Sequence, residues 1–384
     1  MFILAGIIAA FVIVVFLVLR YYPAFGAGPS EERRLRLRRS KQYAGSKFVN
    51  AIPTSMDSTT KEKLEILVQF VKGNPASRPA KPLQTKKLSG NDLAPAKQPS
   101  VTWFGHSASM LRLDGKTLLL DPMFGSAPSP FPFVGGKRFS DRLPFELDEL
   151  PVIDAALISH DHYDHLDYGS IVRLKNKVRR FIVPLGVGPH LERWGVDPAA
   201  IEEHDWWDEF EYEGLKLACA PARHFSGRSL NDRDATLWCS WVIEGREAKV
   251  FFSGDSGYGP HFKDIGDKYG PFDLTLMECG QYDPRWANIH MMPEETVQAH
   301  LDVRGSLMIP IHWGAFTLAM HDWTDPVERA LAAAARLGAT VLTPRIGEPV
   351  PLGDTVYPTS KWWEEALALK GAAAGKSNKE RICT

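Results

Sequence analysis

Residues 159–167, SHDHYDHLD, hold three histidines and three aspartates directly after the apolar run AALI. Imidazole nitrogens and carboxylate oxygens are ligands for divalent transition metals. A purely structural loop has little use for so many of them, because they would repel one another or stay unpaired. His160 and His162 stand two apart, a spacing that one helix face cannot present but an extended strand end can. HExxH differs, since its two histidines project from a helix at i and i+4. In a loop, HxHxDH can turn His160 and His162 toward one ion and Asp164 and His165 toward a second.

Further ligand-type residues close later apolar runs. His224 ends LKLACAPARH, Asp255 ends KVFFSGD and His312 ends LMIPIH. Five histidines and two aspartates, delivered by four strand ends, are the complement for two ions. His160, His162 and His224 are expected to hold one, Asp164, His165 and His312 the other, with Asp255 bridging. Ligation by nitrogen and oxygen without thiolate fits two zinc ions per chain, with iron or manganese as alternatives. Such ions lower the pKa of a bridging water to give a hydroxide near neutral pH, and they absorb charge developing in the transition state. The expected chemistry is metal-dependent hydrolysis, with Asp164 at the reacting centre.

These residues need a scaffold that brings strand ends together. From Val101 onward the sequence is rich in short apolar runs bounded by Gly, Pro, Asp and Asn, among them TLLLD, AALISH, RFIVP, LWCSWVI and DLTLMEC. Helical patterns fall between the later runs, at 293–303 and 325–337. Strands first, then alternating strands and helices, predict a layered α/β domain with helices covering packed sheets. The expected organisation is an anchor at 1–22, a basic juxtamembrane segment with a short helix and a Pro/Lys-rich connection at 23–100, a catalytic body at 101–357, and a C-terminal helix and tail at 358–384. Within the second part, KEKLEILVQFVKG has the spacing of an amphipathic helix, and the stretch that follows it reads as an extended surface wrap. The last residues, AAAGKSNKERICT, are expected to be disordered.

Composition excludes some functions. Lys and Arg number 45 against 46 Asp and Glu, a formal charge of −1, so the basic excess of a nucleic-acid binder is missing. Cys219, Cys239, Cys279 and Cys383 are far apart with no CxxC pair, which argues against a disulfide framework or a thiolate zinc site. Nothing in the sequence indicates a homo-oligomer.

Residues 2–19 are all apolar and are followed by Arg-Tyr-Tyr-Pro. At 1.5 Å per residue they reach roughly 27 Å, close to the hydrocarbon thickness of a bilayer. A cleaved signal peptide would carry a basic n-region and a shorter apolar stretch, so a retained single-pass anchor is expected. The arginine-rich flank ERRLRLRRSK predicts a catalytic body on the cytoplasmic face.

The motifs VTWFGHSAS, DPMFGSAPSPFPFVGGKRF, LPVIDAALISHDHYDHLDY, PARHFSGRSLNDRDATLWCSW, FFSGDSGYGPHFKDIGDKYGPFDL, YDPRW and HWGAFTLA occur in that order. HxHxDH with a later His, Asp and His resembles the metallo-β-lactamase superfamily, over roughly residues 100–350. The full series looks like its N-acyl-phosphatidylethanolamine-hydrolysing phospholipase D family. The resemblance implies an αββα sandwich, zinc held by His160, His162, His224 and Asp255, and a second zinc held by Asp164, His165, His312 and Asp255. It also implies a phospholipid substrate, with hydroxide attacking phosphorus, the bond to the ethanolamine-type headgroup breaking and phosphatidic acid remaining. Residues 1–90 depart from the family pattern. The alternative is a hydrolase of a small soluble ester, lactone or phosphodiester on the same scaffold.

Residues around the site carry two readings each. Asp121 either orients a ligand histidine or closes a strand. His290, which aligns with a family histidine near the reaction centre, either assists the leaving group or hydrogen-bonds to backbone. Arg285 either meets phosphate or forms an ion pair. The loop carrying Phe131 and Phe133 either dips into lipid or folds over the core. His106 is expected to pack beside the metal loop, and His190, His204, His261, His300 and His321 to have surface or packing roles.

Overall fold

The computed structural model describes residues 2–55, 59–93 and 98–367. The tail from 368, with Cys383, lies outside the described residues.

Two seven-stranded sheets pack face to face. The first runs Pro349–Pro351, Ser100–Trp103, Ser109–Leu113, Lys116–Leu120, Ile153–Leu157, Val178–Pro184, Ile201–His204. The second runs Thr340–Val341, Gly305–Ile311, Phe272–Glu278, Lys249–Phe252, Ser240–Glu244, Leu215–Ala220, Glu209–Tyr212. Alternation along each strand explains the layers. Leu118 and Leu120 point into the core between the sheets, while Leu119 joins the outer cluster with Ile171, Leu174 and Leu191 of the covering helices. Likewise Val250 and Phe252 face inward, and Phe251 packs outward with Phe262, Val297 and Ala330. Burial on both faces is why these strands read as continuous apolar runs.

Strand direction places the site. In each sheet, four neighbouring strands run parallel: from Lys116–Leu120 to Ile201–His204 in one, and from Lys249–Phe252 to Thr340–Val341 in the other. Their C-terminal ends deliver Asp121, Ser159, Asp255, Glu278 and His312 to one edge, where open α/β sheets place their ligand sites.

The N-terminal elements are α1 (Phe2–Tyr21), α2 (Glu31–Leu37) and α3 (Thr60–Lys72). α1 is exposed along its apolar length, and it is long and apolar enough to cross a membrane. The chain after it docks on the body. Trp194 Nε1 donates to Pro23 O at 2.7 Å, Arg228 Nε to Ala24 O at 3.0 Å, and Ala27 N to His190 Nδ1 at 2.9 Å. Gly26 is needed there: its φ is +71°, and a Cβ would lie 2.0 Å from His190 Nδ1. The Pro/Lys-rich stretch is more than a surface wrap, because Leu83, Leu88 and Leu93 are buried in the core clusters. Trp362 and Trp363, near the C-terminus, are buried against the inter-sheet core.

Candidate metal centre

Two groups of ligand atoms face each other across Asp255. In the first, His162 Nδ1 lies 2.9 Å from His160 Nε2 and 3.2 Å from His224 Nε2. The far nitrogens of two of these rings are already engaged. Ser159 Oγ donates to Asp121 Oδ2 at 2.6 Å, so it accepts from His160 Nδ1 at 2.9 Å. His224 Nδ1 donates to Ile289 O at 2.9 Å. With their protons there, His160 and His224 turn bare lone pairs toward His162, whose single Nδ1–H could satisfy only one of them.

The second group contains His165, Asp164 and His312. His165 Nδ1 donates to Asp121 Oδ2 at 2.7 Å, leaving Nε2 facing Asp255 Oδ2 at 3.0 Å and Asp164 Oδ2 at 3.5 Å. His106 Nε2 donates to Asp164 Oδ2 at 2.8 Å. His312 Nε2 is buried without a hydrogen-bond partner, 3.9 Å from Asp164 Oδ2. Asp255 reaches both groups: Oδ2 stands 3.9 Å from the Nε2 atoms of His160 and His224, and Oδ1 3.1 Å from His312 Nδ1. That last contact lacks hydrogen-bond alignment, so Asp255 Oδ1 is also an orphaned buried acceptor.

Clustered lone pairs and orphaned acceptors in a buried space fit cations, which turn each close contact into joint ligation. The electrostatics agree. Burial, then the neighbouring histidines, holds His160 well below the usual histidine range, and His224 and His312 are likewise driven down first by burial. Neutral imidazole is the form that binds metal. Burial pushes the Asp255 carboxyl up to about 7, a measure of how poorly this space tolerates its unneutralised charge. Burial opposes a charge on His165 too, but Asp255, Asp164 and Asp121 outweigh it and raise its pKa well above the ordinary value.

The backbone is strained here as well. Asp121, His106 and His312 have φ of 41°, 53° and 66°, and His106 and Trp313 form a bridge that joins the two sheets' loops. Left-handed non-glycine residues carry a cost and concentrate at functional sites.

The remaining sequence-predicted residues fall in different places. Asp121 is fully buried and accepts from His165 Nδ1, Ser159 Oγ and, at 2.7 Å, Ser159 N, so it touches one candidate ligand and supports another. The His290 ring centroid is 5.0 Å from that of His224 and 5.3 Å from that of His312, and its Nδ1 is bonded to Glu278. Arg285 takes the ion-pair alternative: Nε meets Asp283 Oδ1 at 2.6 Å and a terminal nitrogen meets Asp283 Oδ2 at 2.6 Å and Gln69 Oε1 at 2.9 Å. Its fork is directed to these partners rather than at the ligand cluster. Phe131 stacks on Tyr22 with centroids 4.9 Å apart, and Phe133 is 84% exposed.

Three residues were missed by sequence reasoning. Glu278 is fully buried, with its pKa raised well above normal by burial, and it accepts from Ser256 N at 2.8 Å besides holding His290. It ends the apolar run DLTLME, the same signal that marked Asp255. His190 donates to Asp161 Oδ2 at 3.3 Å, and buried Arg228 donates to Leu166 O at 2.8 Å and to Asp161 O. Both brace the HxHxDH loop, and their other partners, Ala27 and Ala24, are 163 and 204 residues away, so no local spacing reveals them.

Known proteins are consistent with this geometry. Residues 116–313 match the Beta-lactamase superfamily domain. An uncharacterised protein of Mycobacterium tuberculosis is 44% identical over 349 residues, 88% of this chain and 91% of its own length. The N-acyl-phosphatidylethanolamine-hydrolyzing phospholipase D 1 of Caenorhabditis elegans is 34% identical over 234 residues, 58% of this chain and 65% of that protein. Among solved structures, Igni18, a metallo hydrolase of Ignicoccus hospitalis, superposes with a TM-score of 0.53 at 22% identity, over 67% of this chain and all of Igni18. The chain belongs to the beta-lactamase superfamily and is a metal-dependent hydrolase of the metallo-β-lactamase fold.

Proposed function

We propose that the protein is a membrane-anchored, two-zinc phosphodiesterase that hydrolyses N-acyl-phosphatidylethanolamine or a related phospholipid in phospholipase D fashion. The single observation that carries the lipid reading is the docking of the chain just after α1. Arg228 donates to Ala24 O and also to Asp161 O and Leu166 O, on either side of His162, Asp164 and His165. A bilayer crossed by α1 would therefore lie within reach of the metal loop, and a tethered enzyme meets its lipid at high effective concentration. The name and likeness of the Caenorhabditis elegans relative support the same substrate class. The arginine-rich flank supports a catalytic body, at 101–357, on the cytoplasmic face.

His160, His162 and His224 would hold one ion, Asp164, His165 and His312 the other, and Asp255 both. When bound, the ions supply a nucleophile from water and offset the charge of the phosphate. One P–O bond forms from water, the P–O bond to the headgroup breaks, and the leaving alkoxide takes up a proton. His290 would hold that proton toward the departing oxygen, with Glu278 fixing its ring through Nδ1. Asp121 keeps His165 in the tautomer that presents Nε2. A cleft of about 440 Å³ beside His224, lined by Phe48, Asn50, Ile52, Phe225, Arg233 and Trp238, has room for the departing headgroup portion.

The test is a phospholipid panel with the detergent-purified full chain, read by mass spectrometry. Release of phosphatidic acid and an N-acylethanolamine, abolished by a chelator and restored by zinc, is expected. A zinc-loaded protein that leaves every phospholipid intact would hand the site to a soluble ester, lactone or phosphodiester.

A further inference from the structure

α3 is the sequence feature that the hydrolase reading leaves unused. Its ends are set by its own sequence: Thr59 and Glu62 form a reciprocal capping box, and Gly73 ends it with a φ of 68°. Leu64, Leu67, Val68 and Val71 follow the i, i+3, i+4, i+7 spacing of one helical stripe. That stripe points away from the protein, the four residues being 60%, 59%, 56% and 81% exposed. The opposite side meets the body, where Ile66 is half-buried and Gln69 accepts from Arg285. At 3.6 residues per turn, Lys61 and Lys72 fall on one flank of the stripe and Lys63 on the other.

A soluble surface seldom presents such a stripe uncovered. Apolar residues with lysines on both flanks are the pattern of a helix lying in a membrane interface, its lysine heads reaching anionic headgroups. The position of α3 fits this occupant. Before it, Ser55 O accepts from Asn288 Nδ2 at 2.9 Å, two residues from His290. After it, Ser77 O accepts from Thr317 Oγ1 at 2.8 Å. A Cβ on Gly136, in the loop of Phe131 and Phe133, would stand 3.5 Å from Thr317 O, so that loop and the segment leaving α3 meet at Thr317. Phe131 in turn stacks on Tyr22, at the end of α1.

We infer that α3 lies in the surface of an anionic bilayer, with Leu64, Leu67, Val68 and Val71 among the acyl chains. With exposed Phe133 it forms the lipid-facing rim of the candidate metal site. This rests on the reading of α1 as a membrane anchor. α1 fixes the body to the bilayer, and α3 sets the tilt that turns the metal edge toward it.

The experiment uses the full chain in phosphatidylcholine vesicles containing phosphatidylglycerol, with an environment-sensitive fluorophore on Leu67→Cys or Val71→Cys. Cys219, Cys239 and Cys279 are buried, and Cys383 is replaced by serine. Phe16→Cys in α1 marks lipid, and Glu213→Cys, in a turn at the opposite edge of the sheets, marks water. Doxyl-labelled lipid is expected to quench positions 67 and 71 as it quenches position 16, with position 213 untouched. Quenching of 67 and 71 by aqueous iodide instead overturns the proposal. So does shielding from both quenchers with fluorophore contact between chains, which gives the face to a second copy. A position 16 outside lipid removes the anchor and this proposal with it.

Turnover is read separately. Leu67→Glu with Val71→Glu is expected to slow hydrolysis of bilayer phospholipid about tenfold while leaving a monomeric short-chain phospholipid unaffected. An unchanged rate on bilayer phospholipid, or equal slowing on both substrates, overturns the proposal. An α3 in lipid on a protein that cleaves no phospholipid keeps the surface and removes only the phospholipase reading.

Discussion

The two halves of the candidate metal centre are built on different principles. The His160, His162 and His224 group is all nitrogen, and its supports are neutral oxygens, Ser159 Oγ and Ile289 O. The Asp164, His165 and His312 group carries one carboxylate, shares Asp255, and has Asp121 behind His165 and His106 behind Asp164. The first half depends on geometry, because three rings must converge on one point. The second depends on charge, because three buried carboxylates surround His165 and call for a cation. Asp255 is where the two requirements meet.

Substitutions can break this comparison or sharpen it. Asp255→Asn touches both halves, and the expected loss in kcat/KM is about 10⁴-fold. A loss no larger than that of a single-half variant would mean Asp255 is not shared. His162→Ala opens only the all-nitrogen half, and a loss of about 10³-fold is expected, with the His165 side intact. His290→Gln leaves every candidate ligand in place, so kcat should fall about 10²-fold at unchanged metal content. A drop in metal content there would make His290 a ligand rather than a proton carrier. Asp121→Asn should weaken metal binding in the carboxylate half by about 10–100-fold, read by competition with a zinc chelator dye. An equal effect on both halves would show that Ser159, which Asp121 also holds, matters as much as His165.

Much of this centre was legible because ligand and scaffold share one sequence pattern. Each candidate ligand outside the HxHxDH loop closes an apolar run; parallel strands deliver Asp255 and His312 to the common edge, while His224 follows Leu215–Ala220, which pairs antiparallel with both its neighbours. Asp121 and Glu278 carry the same mark. Glu278 was passed over because a lone glutamate before Cys-Gly names no partner until His290 is seen beside it. The bracing of the loop by His190 and Arg228 was not legible, since it depends on contacts made across most of the chain. Composition misled at Leu83, Leu88 and Leu93, where surrounding prolines and lysines hid three core residues. The amphipathic pattern of α3 was plain, but only the fold shows that its apolar stripe faces outward.

The most direct measurement is the number of metal ions bound per chain in the purified full-length protein, beside His162→Ala and His165→Ala. Two ions in the parent and one in each variant is the expected result, with the survivor held more tightly when the carboxylate half is intact. One ion in the parent, or two retained in both variants, would contradict a centre built of two halves joined at Asp255.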